Sequence, residues 1–262
     1  MIRYRVRKVL ELRDSVTGSP VVSSALRIFT SGALKRLDKG DGLVVLIDDG
    51  KGAGIPEKIR ISGNIYLDAE CRVDEHSGSS SQVCTIWLLP APGYPVPAGI
   101  AAVKGKAAPG TRIEAVSMAD REALKLAQDH EPGTGTIKLY HERGIDPMGK
   151  WYMASCKESS AAVFIGNAVD KKPDYTEYMV LEPAEGTVLK SSGTSFYPMM
   201  RTYADDKGEY LAAMPFVTAA DTDLTMTFSD TDGAADRGDD GCRKHTLHMF
   251  PGEMLRIDDK EN

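Results

Sequence analysis

At 262 residues, with 42% apolar and 27% charged side chains, the chain has an ordinary globular composition and enough length for two domains with separate cores. No apolar run reaches the ~18 residues of a membrane helix. Residues 1–12 lack the continuous apolar stretch of a secretory leader, so the expectation is a protein of the cytoplasm or of an assembled particle. A net charge of −6 argues against nucleic acid as the main partner.

The chain opens with alternation. Ile2, Tyr4, Val6, Leu10 and Leu12 share one face and Arg3, Arg5, Arg7, Glu11 and Arg13 the other, the period of a half-buried strand. Lys8 interrupts the inner face and marks a bulge or an edge. A turn over residues 14–20 leads to a short strand at 25–29, and Asp38 to Gly42 form an Asp/Gly turn into the apolar strand 43–47, read as central. After 58–61 a second alternation places Ile65, Leu67, Ala69, Cys71 and Val73 inward, with Tyr66, Asp68, Glu70 and Arg72 outward. The strand at 83–89 completes about seven strands, the arithmetic of a sandwich.

Residues 90–97, PAPGYPVP, read as a stiff linker, because four prolines cannot join a sheet interior. Residues 1–89 are then the first domain and 98–262 the second. Strands at 101–107 and 112–116 open the second domain. Ser117 to Asp120 match a capping box, and 120–128 are rich in helix formers, so a helix is expected there. It begins an insertion of about residues 119–197, which also holds strands at 136–140, 151–156, 161–165, 178–181 and 187–189. The stretch RTYADDKGEYLAA, 201–213, reads as strand, tight turn and strand; strands at 224–228, 245–250 and 254–257 follow. The expected fold is mainly β: two tandem antiparallel β-sandwich domains, the second with a helix-containing insertion.

Two turn motifs resemble the carboxypeptidase-regulatory-like, or transthyretin-like, β-sandwich family. The first is Asp14, Thr17, Gly18, Pro20 and Val21 in LRDSVTGSPV; the second is Asp205, Gly208 and Tyr210 in TYADDKGEYL. The resemblance implies seven-stranded, immunoglobulin-like modules used for spacing or adhesion, usually without an active site. Residues 88–105 are also similar to the inter-domain joint of accessory β-domain proteins of phage-tail-like contractile particles.

Clustered carboxylates in the glycine-rich loop 230–240 (Asp230, Asp232, Asp236, Asp239 and Asp240) are the ligand type that Ca²⁺ takes, although no glutamate closes the loop; a solvated acidic hairpin is the alternative. His245 and His248, near Cys242, stand three apart on a strand and face opposite ways. The four cysteines form no C-x-x-C pair, which removes a zinc ribbon, while Cys71 and Cys84 can meet across neighbouring strands or stay as separate thiols. Gly193-Thr194-Ser195 lacks the second glycine of a nucleophile elbow, and the glycines at 50, 52 and 54 precede no helix start. A hydrolase would need His130 or His141 beside Ser155 or Cys156. A sugar platform would draw on Trp87, Tyr94, Trp151, Tyr152, Tyr197 and Tyr203.

No catalytic set is complete. The expected function is therefore a non-enzymatic structural protein that assembles with itself or in a larger particle, without nucleic acid, membrane or resident cofactor. A carbohydrate-binding or cell-surface ligand module, Ca²⁺-dependent through the acidic loop, is the alternative.

Overall fold

The computed structural model describes residues 5–30, 34–48, 58–72, 83–118, 122–142, 144–156, 159–182, 188–218, 221–230 and 242–259. The chain is mainly β and divides into two compact units, Met1–Pro95 and Val96–Asn262. Among the described residues the helical content is a single 3-10 turn, Ser23–Ala25. No helix there is long and apolar enough to cross a membrane.

Unit 1 contains β1 (Arg5–Asp14), β2 (Leu26–Thr30), β3 (Lys35–Asp38), β4 (Leu43–Asp48), β5 (Lys58–Gly63), β6 (Ala69–Arg72) and β7 (Val83–Leu88). One sheet has the order β3-β4-β1-β7, the other β2-β5-β6. The apolar strand 43–48 is central, as its two-sided apolarity requires. The register of β1 against β4 slips between Val6 and Lys8, so a bulge does fall at Lys8. It also turns Val6 outward, to 47% exposure, while Leu10 and Leu12 are fully buried.

Tyr66 corrects the second alternation. It is buried, and its hydroxyl donates to Asp14 Oδ2 at 2.8 Å, so β6 begins only at Ala69. The hydroxyl of Tyr94 donates to the same oxygen at 2.8 Å. Asp14 Oδ1 accepts from the amides of Val16 at 2.7 Å and Thr17 at 2.9 Å, the bonding of an Asx turn. Pro90 pairs with Tyr66, and the Ala91 amide donates to Ile65 at 2.9 Å, so residues 90–94 are bonded into unit 1.

Unit 2 contains β8 (Ala101–Lys106), β9 (Arg112–Val116), β10 (Thr136–Tyr140), β11 (Lys150–Cys156), β12 (Ser159–Lys171), β13 (Tyr175–Glu182), β14 (Ser195–Tyr203), β15 (Glu209–Met214), β16 (Thr222–Ser229), β17 (Cys242–Met249) and β18 (Met254–Arg256). Eight of these strands form one sheet, β10-β13-β12-β11-β14-β9-β16-β17, and three form another, β15-β8-β18. A core cluster joins the two sheets through Val103, Ile113, Tyr210, Met226, Phe228 and Met249. Burying each large apolar side chain contributes about 1.5–3 kcal/mol. A second cluster, with Leu126, Ile137, Tyr152, Ile165 and Phe196, fills the half of the long sheet built by β10 to β14.

The helix expected at 120–128 is absent over its described part, residues 122–128. This segment is extended, with bridges Glu122↔Phe196 and Leu126↔Leu139, and Leu124 and Leu126 enter the second core. Packing at period two outweighs the helix propensity of Ala, Leu, Lys and Gln.

The sandwich reading expected antiparallel pairing throughout. Two pairs are instead parallel: β1 with β7, and β8 with β18. In each unit these are the first and last strands, so a long excursion separates them, as parallel neighbours require. Side-chain alternation is the same for both directions and carries no trace of this.

The turn at 205–208 forms as read: Asp205 Oδ1 accepts from the amides of Lys207 at 2.9 Å and Glu209 at 2.8 Å. It joins strands of two different sheets rather than a ladder-paired hairpin. Gly208 is required there. Its φ is +73°, and a Cβ would sit 2.3 Å from the Ala107 carbonyl oxygen.

Candidate functional site

The most distinctive exposed surface is the outer face of β10 and β13, at one end of the long sheet. Alternation builds it. Ile137 and Leu139 of β10 and Val180 of β13 enter the core, which leaves Thr136, Lys138 and Tyr140, and Tyr175, Glu177, Met179 and Leu181, on the other side. Register sets Tyr140 opposite Tyr175, Lys138 opposite Glu177 and Thr136 opposite Met179.

Tyr140 is 45% exposed, Met179 43% and Leu181 42%. Gly166 of β12 forms the floor beneath the aliphatic pair: a Cβ there would lie 3.1 Å from Leu181 Cγ and 3.3 Å from Met179 Cβ. Polar groups divide the aliphatic end from the aromatic end. Thr136 Oγ1 donates to Glu177 Oε1 at 2.6 Å, and Lys138 Nζ lies 5.9 Å from the Tyr175 ring centroid. Such a face can dock apolar surface or stack a flat ligand.

The residues singled out from sequence fall elsewhere. Asp230 is exposed, 4.0 Å from Arg243 Nη2, and Asp232, Asp236, Asp239 and Asp240 lie outside the described residues, as does the glycine run 50–54. His245 and His248 diverge as expected. His245 stands edge-on to Phe228, with centroids 5.4 Å apart, while His248 points outward to Asp223. Asp221, Asp223 and His248 bring their ligand atoms within 4.8 Å of one another, all three exposed. The pairing of Asp223 with His248 comes from the β16–β17 register, which the sequence between them does not display. Solvent surrounds this trio, and its closest contact is an imidazole–carboxylate pair of the ordinary surface kind.

His130 is buried with Nδ1 3.1 Å from the Thr136 carbonyl oxygen, and burial lowers its pKa. His141 Nε2 lies 2.9 Å from Thr176 Oγ1. His130 Nε2 is buried without a hydrogen-bond partner, Ser155 lies in ladder register with Ser195 on β14, and Cys156 is half-buried. Of the six aromatics considered for a sugar platform, Tyr94, Trp151 and Tyr152 are buried and Trp87, Tyr197 and Tyr203 half-buried. Tyr140, which was not among them, is 45% exposed, and Phe29 and Phe250 are exposed as well.

No family model, no curated protein and no solved structure matches this chain. The geometry of the molecule itself is what bears on function.

Proposed function

We propose that this chain is a non-enzymatic structural protein of two tandem β-sandwich units, which associates with copies of itself through the outer face of β10 and β13. The observation that carries this reading is the exposure of Met179 and Leu181 together beside Gly166, with exposed Tyr140 farther along the same sheet face. Large apolar side chains gathered on one face mark an interaction site more often than scattered ones do. Apolar groups at both ends with Lys138 and Glu177 between them also suit two-fold self-pairing, in which each copy's lysine meets the other's glutamate. The tandem-sandwich part of the reading is supported by the shared parallel pairing of first and last strands in both units. The two turn motifs favour a spacing or adhesion module, and the 88–105 segment favours a larger particle, of the contractile kind, as the place of assembly.

Light scattering of the full chain over a concentration series tests this. Association is expected, and Met179→Lys combined with Leu181→Lys is expected to weaken it at least about tenfold without lowering the melting temperature. A wild-type chain that stays monomeric across the series would dispose of the proposal.

A second reading has its own support in Tyr140 and Tyr175, an exposed and a half-buried tyrosine set opposite each other by the β10–β13 register. Such a pair can stack a glycan, with Lys138 and Glu177 bonding its hydroxyls. Glycan-array binding lost in Tyr140→Ala, with self-association retained, would favour this function over assembly. Repeating the array with chelator tests the Ca²⁺ dependence assigned to residues 230–240.

A further inference from the structure

We propose that Cys71 and Cys84 form an oxidisable dithiol, a redox-modification site at which a low-molecular-weight disulfide installs a covalent staple between the two sheets of unit 1. Cys71 lies on β6 and Cys84 on β7, and their Sγ atoms are 3.1 Å apart. β6 is the edge strand of the three-stranded sheet and β7 the edge strand of the four-stranded one. β6 and β7 themselves are not ladder partners, and among the described residues backbone hydrogen bonds join the two edges only beyond them, around the Tyr66–Pro90 bridge. A bond between the sulfurs would thus add a covalent tie where the strands are unpaired.

Accessibility fits the chemistry. Both cysteines are half-buried, open to a small reagent yet sheltered from bulk solvent. The Cys84 thiol is held well below its usual range by the hydrogen bond with Cys71, and the Lys8 ammonium adds to this against the effect of burial. Thiolate is the attacking species in exchange, and Cys84 is the sulfur predisposed to supply it.

The exchange balances in two steps. Cys84 thiolate attacks one sulfur of a small disulfide such as oxidised glutathione, forming a mixed disulfide and releasing one glutathione thiolate. Cys71, as thiolate, then attacks Cys84 Sγ, the intramolecular bond forms, and the second glutathione leaves. The two protein thiol protons end on the two released thiols, and the electron pair reduces the glutathione disulfide. The bridge would close a separation of 13 residues, which restricts the unfolded chain more than the folded one.

The test uses the full chain treated with excess oxidised glutathione. Reactive thiols should fall from the four of the sequence to two, with a mass loss of about 2 Da and no glutathione adduct, as internal exchange requires. Peptide mapping should join Cys71 to Cys84. The unfolding midpoint of unit 1, followed by hydrogen exchange in β1 to β7, should rise by about 10 °C or more. In Cys71→Ser the reaction should stop at a glutathione adduct on Cys84, with no rise. Four thiols surviving, a bridge to Cys156 or Cys242, adducts persisting on both Cys71 and Cys84, or a bridge that leaves the midpoint unchanged would each overturn the proposal.

Discussion

Replacing Asp14 with alanine is expected to destabilise unit 1 by about 4 kcal/mol, a large part of the ~5–15 kcal/mol that holds a domain folded. The side chain is 5% exposed and accepts four hydrogen bonds, from the Val16 and Thr17 amides and from the phenols of Tyr66 and Tyr94. Alanine would leave the two phenols and the Val16 amide without their acceptor in a dry site, and each such loss costs about 1–3 kcal/mol. Asp14→Asn keeps a carbonyl for the turn amides and should lose about half as much. Urea unfolding of both variants measures the difference; an alanine variant within about 1 kcal/mol of wild type would show that the phenols find water instead.

The same contact predicts alkaline sensitivity. Burial, and then the hydrogen bond to Asp14, push the Tyr66 phenol upward, and the same two causes raise Tyr94. The folded state therefore keeps protons that the unfolded chain releases near pH 10. This stabilisation is fully present below pH ~10 and declines as pH rises towards the folded values. The double variant Tyr66→Phe, Tyr94→Phe should flatten the alkaline limb of the unit 1 stability profile.

Local chemistry was what the sequence made legible. Asp14 and Gly18, and likewise Asp205 and Gly208, announce their turns because an aspartate bonding its own backbone and a glycine at positive φ are short-range facts. That Asp14 also collects donors from Tyr66 and Tyr94, 52 and 80 residues away, is a property of the fold alone. At 122–128 the signal was present and outvoted. Leu124, Lys125 and Leu126 alternate at period two, but the surrounding helix formers point the other way until Leu139 and Phe196 are in place.

The candidate face was half visible. The alternation of Ile137 and Leu139 marks β10 as a strand with one inward side. Nothing local reveals that Met179 and Leu181 are exposed, because a methionine or leucine on a strand ordinarily reads as core. Exposure there depends on β13 lying near the end of an eight-stranded sheet, a matter of strand order.

Strand order also governs the second large effect, which centres on Gly105. β18 runs parallel to β8, and the chain continues along it, with the Ile257 amide donating to Lys104 at 3.0 Å and the Asp259 amide to Lys106 at 2.7 Å. Between those bonds the Ile257 carbonyl rests against Gly105 and accepts from the Tyr210 hydroxyl at 2.7 Å. A Cβ on Gly105 would stand 1.6 Å from that carbonyl oxygen and 2.5 Å from its carbon. Both are backbone atoms, so no rotamer change can relieve the clash. Gly105→Ala is therefore expected to push residues 254–259 off β8, exposing Leu255 and Ile257, which pack against the first core of unit 2. The loss should be about 3 kcal/mol, the range of an overpacked core site, whereas Tyr210→Phe, which removes one hydrogen bond and keeps the ring, should lose about 1 kcal/mol. Hydrogen exchange separates the two. In Gly105→Ala the Ile257 and Asp259 amides should lose protection while β9 and β16 keep theirs, and amides that stay protected would mean that β8 itself yields to admit the methyl group.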